Sequence, residues 1–138
     1  MALKNTYTKL SLPQILQKLQ TTLVDHGASK IQIDYSEKLP YQLNFLVEYD
    51  GRLLPITLPA RPHKVYAKLQ KQAMGKNVDT LGAYRVAWRN ILDWVDAQMA
   101  IVEIEQAEFF EVFMPYLSTK NGTLYEAHKE QILTLPEN

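Results

Sequence analysis

Apolar residues recur at three- and four-residue intervals at Leu12, Ile15, Leu16, Leu19 and Leu23, which predicts a helix with one buried face. Ser11 stands three residues before Gln14, a capping-box spacing, and Pro13 is tolerated in a first turn. Gly27, following His26, is a natural stop, and His26 sits where a protonated ring favours the helix dipole. Ahead of this helix, Tyr7 and Leu10 either anchor a short extended segment or belong to a loose one.

The period then changes to two. Ile31, Ile33 and Tyr35 alternate with Gln32 and Asp34, and Tyr41, Leu43, Phe45, Val47 and Tyr49 alternate over a longer span, with Leu46 apolar on the opposite side. Asp50-Gly51 predicts a two-residue hairpin turn, because both residues accept positive φ. Leu54, Ile56 and Leu58 continue the alternation on the return strand, where Pro55 lacks a backbone donor and so predicts an edge or a bulge. A meander with one apolar face needs helices to cover it.

Helical spacing resumes after Pro59 and Pro62. A short helix is predicted from about Pro62 to Met74, with Val65, Leu69 and Tyr66 inward and Gly75 as its end. A long helix follows over Leu81 to Glu105, capped by Asp79 or Thr80. Its row Tyr84, Trp88, Leu92, Val95, Met99 and Val102 is widened by Ile91, Trp94 and Ile101, so it packs on more than one side. Phe109, Phe110, Val112 and Phe113 begin a short helix that Pro115 disturbs. Asn121-Gly122 is a turn, and Thr123 with Glu126 caps a last helix to about Leu133. The expected fold is α+β, one domain over residues 1–138: an antiparallel three-stranded meander covered by an N-terminal helix and three or four C-terminal helices, one of them long and central.

Composition narrows the chemistry. With 46% hydrophobic and 22% charged residues, the chain reads as globular rather than disordered. The absence of cysteine excludes disulfides, thiolate metal sites and cysteine nucleophiles, and fits a reducing cytoplasm. No apolar run approaches the roughly 20 residues of a membrane span, and MALKNTYTKLSLPQ lacks the apolar core of a secretion signal. The expectation is a cytoplasmic protein with no membrane contact. His26, His63 and His128 lack metal-ligand spacing, no serine sits in a nucleophile elbow, and the single glycines form no phosphate loop. Glu103, Glu105, Glu108 and Glu111 are spread around a helix and across a break, more as a solvated surface than as a magnesium site. Neither a metal, a cofactor nor a catalytic residue is expected, and the chain is not expected to be an enzyme.

The net charge of zero hides a polarity. Residues 1–80 hold 11 Lys/Arg against 6 Asp/Glu, and residues 81–138 hold 4 against 9. From Gly51 to Val78 there are Arg52, Arg61, Lys64, Lys68, Lys71 and Lys76, and no acid. Arg85 and Arg89 lie one turn apart near the amino end of the long helix, where dipole and guanidinium forks both suit phosphate. Arg61, His63, Lys64 and Lys68 arrive just before them, and Tyr84 or Tyr66 offers a ring to stack on a base. The candidate phosphate or nucleic-acid site is therefore Arg61, His63, Lys64, Lys68, Tyr84, Arg85 and Arg89. The competing reading is structural: Arg89 with Asp93 at i,i+4, and Arg85 with Asp79 or Glu48.

The segments LPARPHKVYAKLQKQA, AYRVAWRNILDWVDAQMAIVE, EVFMPYL and NGTLYE resemble those of small proteins encoded in bacteriophage and prophage genomes. The resemblance spans about Ser11 to Glu130 and touches Arg85, Trp88, Arg89, Pro115, Tyr116, Leu117, Gly122 and Thr123. It implies a phage setting rather than a mechanism: support of DNA replication or recombination, or neutralisation of host defence. Two functions follow as expectations. One is a non-enzymatic accessory that binds nucleic acid through a basic patch. The other is a counter-defence or regulatory protein that binds a host protein or sequesters a phosphorylated nucleotide. A homodimer is also expected if Phe109, Phe113 and Tyr116 exceed what one small core covers.

Overall fold

A computed structural model describes residues 3–74, 76–134 and 136. In chain order it contains α1 (Leu12–Asp25), β1 (Ala28–Ser36), β2 (Leu39–Tyr49), β3 (Arg52–Pro59), α2 (Pro62–Ala73), α3 (Thr80–Glu103), α4 (Phe109–Phe113), a 3₁₀ turn (Met114–Tyr116), β4 (Ser118–Thr119), β5 (Gly122–Thr123) and α5 (Leu124–Leu133). The architecture is α+β, as the pattern predicts.

The local signals act as expected. Ser11 and Gln14 form the reciprocal capping box of α1. At its other end His26 Nδ1 lies 2.8 Å from the Thr22 carbonyl, which also accepts the His26 backbone N–H at 3.2 Å, so ring and backbone of one residue close the last turn together. Asp50 and Gly51 adopt φ of 52° and 77°, closing the β2–β3 hairpin with Tyr49 opposite Arg52. The sheet order is β1-β2-β3, and β3 is an edge. Pro55 stands opposite Leu46 without breaking register. Counting from the hairpin, that is a non-hydrogen-bonded pair, so the missing donor costs the β2–β3 ladder nothing. A single bridge from Ile56 to Leu117 attaches the β4–β5 turn to the outer side of β3.

The apolar face of the sheet, Leu43, Phe45, Val47, Ile56 and Leu58, is buried against α1 and α3. Trp88 is fully buried, and its indole N–H donates to the Pro40 carbonyl at 3.0 Å, pinning α3 to the start of β2. Trp94 stands edge-on to Phe113 and Tyr116, and Phe109 stacks on Phe113 with centroids 4.5 Å apart. Phe109, Phe113 and Tyr116 are therefore consumed by the chain's own core, which removes the reason to expect self-association through them.

Some expectations are corrected. The register of β1 on β2 shifts between Asp34 and Tyr35, leaving Tyr41 without a partner, and both Tyr35 and Tyr41 are exposed rather than buried, Tyr35 on the side of the sheet that α1 covers. Tyr7 is 85% exposed and anchors nothing, whereas Leu10 packs against the core as expected, and Asn5 ties the segment to α3 by hydrogen bonds. The expected stop of α2, Gly75, lies outside the described residues; Met74 before it is left-handed, with φ 51°. The helix α3 ends at Glu103, and Glu105 turns the chain with φ 62°.

Candidate nucleic-acid interface

The amino end of α3 is the expected anion cradle, and Asp79 already occupies it. Its carboxylate accepts the Leu81 N–H at 3.1 Å as the helix cap, and its other oxygen faces Arg85 Nη2 at 3.7 Å. An acid that caps the helix and stands beside the guanidinium competes with a phosphate for both attractions, although this exposed pair is itself weak. Arg85 is about one-third exposed in this arrangement.

Arg89 is committed as well. Its Nε donates to Asp93 Oδ1 at 3.1 Å, the i,i+4 pairing. Asp93 Oδ2 accepts from Lys4 at 3.1 Å and from Asn5 at 3.0 Å, and Asn5 also donates to Asn90 at 2.8 Å. Partial burial pushes the Asp93 carboxyl up, but the Asn5 and Lys4 hydrogen bonds and the charges of Arg89 and Lys4 outweigh it and hold the group below its ordinary value. This cluster fastens the N-terminal segment to α3.

The third guanidinium lies elsewhere. Arg61 precedes α2 with φ 50° and ψ 53°, a left-handed conformation that carries no side-chain cap. It borders a cavity of about 270 Å³ with Leu58, Pro59, Asn90, Ile91, Trp94 and Tyr116. Arg89 instead lines the groove between α1 and α3 with Gln17, Thr22 and Asp96. Arg61 also faces Glu126, whose carboxyl is lowered by the Thr123 backbone and side-chain hydrogen bonds and, more weakly, by Arg61. The three arginines do not converge. Tyr84 is partly buried, packed against the core.

What remains open is the outer face of α2. Lys64, Lys68 and Lys71 follow i, i+4, i+7 spacing, all three are exposed, and the half-buried Val65, Tyr66 and Leu69 turn the other way toward the fold. Among the described residues no side-chain hydrogen bond or ion pair engages any of the three ammonium groups. The stripe spans roughly 10 Å at 1.5 Å per residue. His63 is exposed in the first turn of the same helix. Arg52 does not join them: it starts β3, whose length of roughly 23 Å separates it from α2, so the acid-free run from Gly51 to Val78 is two surfaces.

One polar constellation lies outside the sequence-predicted site. On the open face of the sheet Asp34 accepts from Gln32 at 2.7 Å, Gln42 at 2.6 Å and Asn44 at 2.8 Å. Thr57 donates to Asn44 at 2.7 Å and meets Ser118. Hydrogen bonds from Gln42 and Gln32 first, and Asn44 after them, hold the Asp34 carboxyl below its usual value against partial burial. Its signal in the sequence is the set of polar residues at alternate positions, Gln32 and Asp34 on β1 and Gln42 and Asn44 on β2. No group of His, Asp or Glu side chains among the described residues gathers to hold a metal ion, and no helix there is long and apolar enough to cross a membrane.

Compared with known proteins, the chain matches no family model, no curated protein and no solved structure.

Proposed function

We propose that this protein is a non-enzymatic accessory that holds the phosphate backbone of nucleic acid on the outer face of α2, in the cytoplasm of a host cell, as the resemblance to phage and prophage proteins suggests. The observation that carries the reading is the stripe Lys64, Lys68 and Lys71, unpaired among the described residues, when Arg85 and Arg89 already have acids. A stripe of mobile ammonium groups recognises backbone charge and not base edges, so binding is sequence-tolerant and salt-sensitive. Sequestration of a free nucleotide is favoured less. The cavity bordered by Arg61 is about 270 Å³, below the roughly 300 Å³ at which small-molecule pockets begin.

Fluorescence anisotropy with a labelled duplex tests the proposal. Affinity falls linearly on a log–log plot against salt, with a slope of about −0.9 per neutralised phosphate. The triple substitution Lys64→Glu, Lys68→Glu, Lys71→Glu abolishes binding, whereas Arg85→Ala with Arg89→Ala leaves it within about twofold. Binding that ignores salt, or that survives the triple substitution, overturns the reading; so does no binding at low salt.

A further inference from the structure

The strand β1 is the free edge of the sheet, and we infer that it is an interface on which a second copy of this chain pairs, Gln32 against Gln32, to form a continuous six-stranded sheet. The argument starts from backbone direction. The two-residue turn makes Tyr49 and Arg52 a hydrogen-bonded pair, and pairing alternates from there along β2. Leu43, Phe45 and Val47 turn their backbone groups to β3, so Gln42, Asn44 and Leu46 turn theirs to β1. Their partners Asp34, Gln32 and Lys30 face β2 in return. Ile31 and Ile33 consequently present N–H and C=O groups to the open edge, where no other described strand of the fold reaches them.

Only registers that bring these odd-numbered residues together satisfy those groups. Centring the dyad on Gln32 sets Ile31 opposite Ile33 of the second copy, twice, and gives four backbone hydrogen bonds. On the outer face the same register sets Lys30 opposite Asp34, again twice. Shifting the dyad to Ile31 or Ile33 puts Lys30 or Asp34 opposite an uncharged glutamine. The self-complementary register is therefore singled out by charge. Asp34 already accepts three amide hydrogens, and a carboxylate has about four acceptor positions, so one is left for the incoming ammonium.

The inner face agrees. Tyr35 and Val24 are 56% and 57% exposed, large apolar surface to leave in water. Val24 lines a groove of about 380 Å³ together with Gln20, Thr21, Ser29 and Ile31, between α1 and β1. In the Gln32-centred register Tyr35 of each copy comes opposite Ser29 of the other and enters that groove beside Val24. Register shifts at Ser29 and after Asp34 bound the regular part of β1 to residues 30–34. With a lysine on the edge, these irregularities oppose pairing with arbitrary strands and leave the matched copy as the fitting one.

Light scattering on the full chain reads a dimer mass. Lys30→Asp places a second carboxylate opposite Asp34 of the other copy, and shifts the equilibrium toward monomer by roughly tenfold or more. A cysteine reporter tests the register independently, since the chain has no cysteine of its own. Residues facing each other in a non-hydrogen-bonded pair have Cα atoms about 4.5 Å apart, within disulfide range. Gln32→Cys therefore forms a covalent dimer under mild oxidation. Lys30→Cys does not, because its twin lies roughly 14 Å away along the strand. A monomeric mass at every concentration, cross-linking at position 30 as readily as at 32, or an undiminished Lys30→Asp dimer overturns the inference. None of these readouts involves nucleic acid, so it stands or falls apart from the proposed function.

Discussion

Asp93 links residues far apart in sequence through one carboxylate. It receives Arg89 from its own helix and Lys4 and Asn5 from the N-terminal segment, and is 27% exposed. Its folded-state pKa is depressed below the ordinary 3.8. A carboxyl depressed on folding contributes stability that is fully present above the unfolded pKa and is lost as pH falls through the folded one. Asp93→Asn should therefore cost about 1 kcal/mol at neutral pH, at or below the low end for hydrogen bonds to a charged group because the site is partly solvated. That difference should stay level from pH 8 to about pH 5 and shrink below about pH 4. Urea melts of both proteins across that range check it, and a difference that persists undiminished at about pH 2.5 contradicts the assignment. This pairing is half legible in the sequence. Arg89 and Asp93 are four apart on one helix, a spacing that declares itself. Lys4 and Asn5 are 85 or more positions away from their partners, and nothing local points to them.

Elements differ in how much of the fold holds them. The helix α3 buries Ala83, Val86, Ala87, Trp88, Leu92, Val95 and Met99, while α5 buries none of its residues. What fixes α5 is its start. Thr123, 2% exposed, accepts from the Glu126 N–H at 3.2 Å, and Glu126 accepts from the Thr123 N–H and hydroxyl, each at 3.0 Å. Thr123→Ala removes both hydroxyl bonds and should destabilise this end by about 1–2 kcal/mol, the range for a lost N-cap. Because so little else binds α5, the loss should appear locally. Hydrogen exchange should accelerate across residues 124–133 and stay unchanged in α1 and α3. Uniform acceleration throughout the chain would show instead that α5 belongs to the global unfolding unit. The capping boxes at Ser11 and Thr123 and the Asp50-Gly51 turn are readable because each is closed within four residues. The left-handed Arg61 and the shift that exposes Tyr35 and Tyr41 are not, because they arise where one element is fitted to another. The basic site is only partly legible for a related reason. Spacing places Arg85 and Arg89 correctly on one stripe, but whether a cation is free depends on where the acids lie in space. For Arg85 the sequence leaves Asp79, Glu48 and an outside phosphate all eligible, and only the folded chain selects Asp79.

At the scale of the whole molecule the two proposals meet. In the strand-paired dimer the dyad runs perpendicular to the sheet, so the helices of both copies lie on the same side. The two β3 strands are then five strand spacings apart, roughly 24 Å, with an α2 following each. Two lysine stripes on one side of an assembly can engage one duplex at two places, and the second contact becomes intramolecular. A short oligonucleotide that reaches a single α2 gains nothing from pairing. Wild type and Lys30→Asp should therefore bind a duplex of about one helical turn with equal affinity. On a duplex of about three turns wild type should bind roughly 10²-fold more tightly, the lower end for linked sites. The comparison isolates geometry from charge, because Lys30 lies on the sheet and outside the α2 stripe. Equal affinities on the long duplex, for a protein that scatters as a dimer, would mean that the two α2 faces do not look onto a common partner. Loss of affinity on the short duplex would mean that Lys30 itself touches nucleic acid, moving the binding surface from α2 to the open face of the sheet.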